Sequence, residues 1–231
     1  MSNPGKMAQV RYNRAMQQRS WLLRLYAWAC ERLYHELAWS YDWVSWLVSL
    51  GRWAGWRRQA LAFLPAQADP PLPVLELGFG TGELLLALAE ARIPAVGLEP
   101  SPAMHGITQH KLQRYGYSLP RVCAVGEQMP FADGAFGALL ATFPAGYILA
   151  EQTLAECARL LQPGGRLVIV GLWVALRPAW LGRLVPLFYG EPPATLVTLL
   201  EARLVNAGFR VERNALPDGP FAVAVIVAHK R

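Results

Sequence analysis

The sequence predicts an α/β fold, a parallel sheet with helices on both of its faces. Three observations carry this. From residue 73 onward, short apolar runs alternate with segments of helix length, the pattern of strand and crossover helix. A proline-rich stretch, Pro65 to Pro73, cannot continue a helix and separates this part from a Trp-rich N-terminal quarter. And Glu76-Leu77-Gly78-Phe79-Gly80-Thr81-Gly82 places a tight glycine turn between the apolar run Pro73-Val74-Leu75 and the helix-like run that starts at Glu83.

Residues 8–63 read as two or three helices, in the first of which polar positions 24, 31, 32 and 35 share one side. A break falls near Ser40-Tyr41-Asp42, and a second apolar helix closes with Arg57-Arg58. Beyond the linker, strands are expected at 73–78, 94–99, 121–125, 136–142 and 166–173, and helices at 82–91, 102–114 and 150–161. Pro163-Gly164-Gly165 is expected as a turn ahead of the fifth strand. The proline-punctuated stretch 174–193 is long for a simple connection and is read as a substrate-facing insert. A helix at 194–207 keeps Leu196, Leu200 and Leu204 in register, with Gly208 as its stop. Strands at 209–213 and 221–228 complete the sheet. The domain reading is therefore 1–66, a basic helical cap, and 67–231, the α/β domain.

Glycine admits a positive φ and lets a ligand approach main-chain atoms that a Cβ would block. The helix start after it adds unpaired N–H groups suited to an anionic ligand group. The spacing is G-x-G-x-G. A dinucleotide fingerprint would need a glycine at 83, where Glu83 stands, and that acid would repel a pyrophosphate. Downstream, Ala95-Val96-Gly97-Leu98-Glu99-Pro100 reads as a second strand ending in an acid. Glu99 lies 17 residues past Gly82, close to the spacing at which α/β nucleotide folds set a carboxylate on ribose hydroxyls. One carboxylate can accept from both the 2′- and 3′-OH.

With these motifs the chain resembles the class I S-adenosylmethionine-dependent methyltransferases, in particular the branch around the ubiquinone/menaquinone-biosynthesis enzymes. The resemblance rests on four ordered motifs: Val74 to Gly82, Gly97 to Met104, Met129 to Phe136, and Leu160 to Leu167. It implies a Rossmann-like, doubly wound, seven-stranded sheet whose last strand runs antiparallel between its neighbours, with an N-terminal helical cap. It implies S-adenosylmethionine as cofactor. Gly78, Gly80 and Gly82 would shape the pocket for the methionyl part, and Glu76 would anchor the loop and the amino group. Glu99 would take the ribose, and Phe79, Pro100, Gly126, Glu127 and Thr142 would complete the cofactor-binding set. One departure stands out. Relatives usually carry an Asp at the end of strand three, accepting from the adenine amine, and the position here is Val125. Either Glu127 or Gln128 substitutes, or main-chain groups and apolar contact hold the adenine.

Composition narrows the remaining classes. With 54% hydrophobic and 16% charged residues the chain can bury a large core. Cys30, Cys123 and Cys157 are far apart, and His35, His105, His110 and His229 form no ligand spacing, so no disulfide framework or metal site is expected. No spanning helix or secretion signal is read, which points to a cytoplasmic setting. Nine of the 22 Lys and Arg but only three of the 16 acids lie in residues 1–66, leaving 13 of each beyond. Seven of the nine tryptophans share that segment. Three readings stand for it: helices packed on the sheet, a lid over a lipophilic acceptor, or peripheral docking on an anionic membrane. Nucleic acid is not expected as a partner, since no binding motif is present.

Methyl transfer from a sulfonium is an in-line displacement that needs proximity and alignment above all. A base is required only for a weakly nucleophilic acceptor. His35, Tyr41, Asp42 and Tyr147 are the candidates. Tyr41 resembles a cap tyrosine that closes over the cofactor in such enzymes, or packs beside Tyr34 on one helix face. The expected acceptor is a small apolar or aromatic molecule. Acceptors on protein or RNA, and a module that binds the cofactor without turnover, are the alternatives.

Overall fold

A computed structural model describes residues 49–65, 72–176 and 194–231. The expected helices before residue 49, with His35, Tyr41 and Asp42, lie outside the described residues, as do the linker at 66–71 and residues 177–193 of the insert.

The chain order is α1 (Trp53–Arg58), a 3-10 turn (Gln59–Phe63), β1 (Val74–Leu77), α2 (Glu83–Glu90), β2 (Ala95–Leu98) and α3 (Pro102–Arg114), then β3 (Arg121–Val122) and β4 (Phe136–Thr142). A second 3-10 turn (Gly146–Leu149), α4 (Glu151–Leu160), β5 (Leu161–Leu176), α5 (Ala194–Asn206), β6 (Phe209–Asp218) and β7 (Phe221–Lys230) follow. The strands form one seven-stranded sheet in the order β3-β2-β1-β4-β5-β7-β6. Pairings from β3 across to β5 are parallel, and β7 runs antiparallel to both β5 and β6. The Rossmann-like sheet with an antiparallel last strand between its neighbours is thus as the sequence led us to expect.

Two apolar layers sandwich the sheet. Trp56 and Ala60 join Leu84, Leu85 and Leu88 of α2 over Val74, Leu140, Val168 and Val225 on one face. Leu154, Cys157 and Leu160 of α4 join Leu200 and Leu204 of α5 over Leu75, Leu77, Leu139 and Ile169 on the other. The strands buried on both faces read as continuous apolar runs for this reason. Trp56 is 1% exposed, and its indole donates to Asp218 Oδ2 at 2.7 Å, so α1 is part of the same core as the sheet.

Helix starts are chemically marked. Ser101 caps α3 by accepting from the Met104 N–H at 3.5 Å, with Pro102 at the first helical position. Gly82 precedes α2 at φ 77°, a left-handed conformation.

The structure differs from the sequence reading most at β5 and β6. β5 begins at Leu161, and its pairing with β4 jumps from Phe136↔Leu161 to Ala138↔Arg166. The Pro163-Gly164-Gly165 turn is therefore accommodated as a bulge inside the strand, with Gly164 at φ 76°. β5 also runs on to Leu176, pairing Val174 to Leu176 with β7, so the insert read from 174 begins three residues inside a strand. β6 continues past Arg213 through Pro217 to Asp218. It lies at the sheet edge, where a missing N–H is tolerated.

The chain turns back between β1 and β4, after β2 and β3 have been laid on one side of β1. At such a switch point, outside the C-terminal strand ends, α/β folds bind their ligands. Among the described residues, no helix is long and apolar enough to cross a membrane.

Candidate active site

The loop after β1 needs its glycines. Gly78, Gly80 and Gly82 sit at φ 67°, 51° and 77°. A Cβ on Gly82 would stand 2.4 Å from Thr108 Cγ2, and one on Gly78 would stand 2.7 Å from the Tyr147 hydroxyl oxygen. Thr108 Oγ1 donates to the Gly80 carbonyl at 2.8 Å. Glu99, 1% exposed, accepts from the Gly80 N–H at 3.1 Å through one oxygen and from the Ser101 N–H at 3.0 Å through the other. Glu99 and Thr108 thus tie the loop to β2 and α3.

Glu76, expected to anchor the loop, does not bond it. Its side chain is 0% exposed, and neither oxygen has a hydrogen-bond partner. Burial pushes its carboxyl up to about 8, with Glu99 adding to the rise and Arg57 opposing it. Arg57 is the residue that sequence reasoning missed. It lies 3% exposed near the end of α1, its Nε buried without a partner and its guanidinium carbon 5.8 Å from the Trp53 ring centroid. In the sequence it was one of two arginines closing a helix; only burial distinguishes it from Arg58, which pairs with Glu90 at 2.7 Å on the surface.

The other expected site residues separate into lining and support. The Phe79 ring is 0% exposed, pressed under the loop against His105 at 4.8 Å, so only its main chain can meet a ligand. Gly97 makes room for that ring, since a Cβ there would come within 2.6 Å of Phe79 Cδ1. Thr142 is buried at the end of β4. Pro100 is exposed and its carbonyl accepts from the Cys123 thiol at 3.4 Å. Beyond β3, Val125 is 48% exposed, Gly126 is buried beside Thr153, and Glu127 is exposed.

Tyr147 donates to the Leu77 carbonyl at 3.0 Å. Burial raises its phenol well above the ordinary value, with Glu99 adding to the effect, so its proton is retained and the group is a donor rather than a base. Glu83 pairs with Lys111 at 2.7 Å, which in part neutralises the acid at the start of α2. Directly after β4, Phe143 takes φ 50°, a conformation rare outside glycine and asparagine. Trp53 stacks on its ring at 3.8 Å and 24°, and Gly171 leaves the space the ring fills, its absent Cβ falling 2.3 Å from Phe143 Cε1.

The Met129–Asp133 motif does not reach this site. Arg159 of α4 donates to the carbonyls of Phe131 and Met129 at 2.7 and 3.0 Å and pairs with Glu156 and Asp133, while Glu156 accepts from the Met129 N–H at 2.8 Å. It is a clamp that shapes the turn before β4.

Residues 75–169, which hold the glycine loop, Glu99, the clamp and the paired strands β1 to β5, match a protein family described as "Methyltransferase domain". Over this segment the chain is similar to a methyltransferase domain. Its relatives carry related names. The demethylmenaquinone methyltransferase of Thermus thermophilus is 36% identical over 142 residues, 60% of this chain and 63% of that one. That of Deinococcus radiodurans is 32% identical over 145 residues, 62% and 59% of the two chains. The ubiquinone/menaquinone biosynthesis C-methyltransferase of Burkholderia mallei is 29% identical over 157 residues, 64% and 63%. The chain thus spans about three fifths of the length of the relatives it matches. The methyltransferase fold is shared with a possible histamine N-methyltransferase from Thermotoga maritima (TM-score 0.55, 21% identity, 82% and 95% of the two chains). It is shared as well with geranyl diphosphate C-methyltransferase from Streptomyces coelicolor (TM-score 0.54, 15% identity, 76% and 78%).

Proposed function

We propose that this chain binds S-adenosylmethionine and catalyses methyl transfer to a small apolar or aromatic acceptor. The observation that carries the cofactor is the unpartnered, buried pair Glu76 and Arg57 beside the glycine loop. A buried carboxyl with neither oxygen bonded and a buried guanidinium with its Nε unbonded are costly unless a ligand completes them. An α-amino acid group does so, its ammonium toward Glu76 and its carboxylate toward Arg57. Gly78 and Gly80 give the loop the positive φ angles of its turn, 67° and 51°, that other residues rarely adopt. Glu99 accepts from the Gly80 and Ser101 N–H groups at the end of β2, the place from which a carboxylate reaches ribose hydroxyls in α/β nucleotide folds. Val125 and the main chain around Gly126 would face the adenine with apolar contact.

When bound, S-adenosylmethionine supplies a methyl group on a sulfonium, already activated for displacement. The protein's part is to align the acceptor and exclude water. Tyr147 keeps its proton and is a donor, and an electron-rich ring, nucleophilic by itself, is the acceptor that asks least of a base. Phe143 and Trp53 offer an aromatic wall beside the end of β4, and the names of the quinone-biosynthesis relatives fit an aromatic acceptor. Peripheral membrane contact through the basic, Trp-rich residues before 49 belongs to the same reading. Vesicle co-sedimentation with and without residues 1–30 tests it, and equal pelleting removes it.

Calorimetric titration with S-adenosylmethionine, S-adenosylhomocysteine and NAD tests the cofactor. Binding of NAD alone would refute the proposal. A labelled-methyl screen of cell extract, split into lipid, small-molecule, protein and RNA fractions, tests the acceptor. Label confined to protein or RNA would overturn the acceptor class, and cofactor binding with no label anywhere would leave a binding module.

A further inference from the structure

Glu76 is a carboxylate with nothing to do in the protein as it stands. Its side chain is closed to solvent and neither oxygen accepts a hydrogen bond. The charged and titratable groups acting on it come from every element around it. They are Arg57 from α1, Glu83 from α2, Glu99 from the end of β2, and Tyr147 from the 3-10 turn after β4. Of these Arg57 alone is cationic, two are acids, and the Tyr147 proton is directed at the Leu77 carbonyl. The Leu85 N–H of α2 and the Arg57 charge favour the ionised form, but burial outweighs both, and a carboxyl closed to solvent with no hydrogen bond of normal geometry is held in its neutral form.

We infer that cofactor uptake is a proton exchange: Glu76 enters the reaction protonated, and binding the ligand's ammonium group expels that proton to solvent. The inference rests on the cofactor reading above and extends it. The balance is simple. Glu76–COOH and R–NH3+ give Glu76–COO⁻ beside R–NH3+, and one H+ leaves; no bond to carbon changes and nothing is oxidised. The rise of the Glu76 carboxyl to about 8 agrees with this direction. Linkage fixes the sign. Below that value, a ligand that needs the ionised form binds more tightly as pH rises, approaching about tenfold per pH unit. The α-amino group of the ligand itself begins to lose its charge near 8, so the window to read is pH 6 to about 7.5.

The experiment is isothermal titration of the full chain with S-adenosylhomocysteine, chosen because it carries the amino acid group but no transferable methyl. At pH 7, the binding enthalpy is measured in several buffers of different ionisation enthalpy, and the affinity is measured from pH 6 to 7.5. The expected result is release of close to one proton per ligand, with affinity rising five- to tenfold per pH unit. Glu76→Gln, which has no proton to give, should bind at a lower affinity that is flat across the window and independent of buffer. Buffer-independent enthalpy with a flat affinity in the unaltered protein would overturn the proton exchange while leaving the cofactor reading in place. Absence of any binding would instead overturn the cofactor reading. Because the buffer series uses the unaltered protein, the result stands even if the Gln variant does not fold.

Discussion

Gly82→Ala should destabilise the protein far more than a surface alanine, and Thr108→Ala should partly repair it. An alanine held at φ 77° costs about 1–2 kcal/mol. Its Cβ would stand 2.4 Å from Thr108 Cγ2 and 2.8 Å from Oγ1, an overlap whose relief by overpacking costs about 1–3 kcal/mol. Moving Thr108 also breaks its 2.8 Å bond to the Gly80 carbonyl, a further loss of about 1 kcal/mol. The single variant should therefore lose about 3–6 kcal/mol, whereas Thr108→Ala alone should lose about 1–2 kcal/mol. In the double variant the two shortest contacts are gone, only the 3.1 Å approach to the Thr108 Cβ remains, and the lost bond is counted once, so the double should be more stable than Gly82→Ala by about 1–2 kcal/mol. Urea unfolding of all four proteins measures the cycle. Strict additivity, with the double the least stable of the set, would refute the contact. Cofactor affinity in the double should remain depressed, because the left-handed strain persists in the loop.

Glu99→Ala removes the acceptor for two buried N–H groups as well as the proposed ribose ligand. It should lower cofactor affinity by about 1.5–3 kcal/mol in calorimetry, and normal affinity would remove the ribose assignment. Arg159→Ala should cost about 1.5–3 kcal/mol by releasing the carbonyls of Met129 and Phe131 and the Glu156 carboxylate. Arg159 holds the Glu156 carboxyl below its ordinary value, so this contribution is present above that range and fades as pH falls through the lowered one; acid-limb unfolding of the variant should be shallower. The opposite slope belongs to Glu76. Raised from 4.5 to about 8 when folded, it makes the native state bind the extra proton, so ligand-free stability should fall as pH rises between those values. A Glu76→Gln variant with the same slope would refute that. Val125→Asp should leave cofactor binding unchanged or tighter by about 0.5–1.5 kcal/mol, and weaker binding would place the adenine elsewhere.

The parts of this molecule that were legible in its sequence are those encoded locally. Continuous apolar runs marked β1, β2 and β4, Ser101-Pro102 marked the start of α3, and the glycine spacing marked the loop. What escaped depends on partners distant in the chain. Pro163-Gly164-Gly165 has turn chemistry, and only the pairing of Leu161 and of Arg166 with β4, on either side of it, keeps it inside a strand. Pro217 reads as a strand terminator until β6 is known to lie at an edge. At the site, Glu99 was legible from its spacing, but Arg57 was indistinguishable from Arg58. The division of labour between Glu76 and Glu99 was not legible either: one carboxylate holds the loop and the other stands unpaired, which spacing alone does not reveal.

The antiparallel seventh strand has a consequence for how the protein is made. During synthesis β5 emerges well before β7, while β6, which pairs with β7 alone, directly precedes it. Until residues 221–230 leave the ribosome, the nascent chain presents a long apolar strand with one whole row of amides and carbonyls unsatisfied. Such an edge invites pairing with a neighbouring nascent chain. The last strand to appear is the one that locks the sheet, so the interval between the two is when a trigger-type chaperone matters most. Slow codons or fusions that delay β7 would cost yield rather than activity per folded molecule.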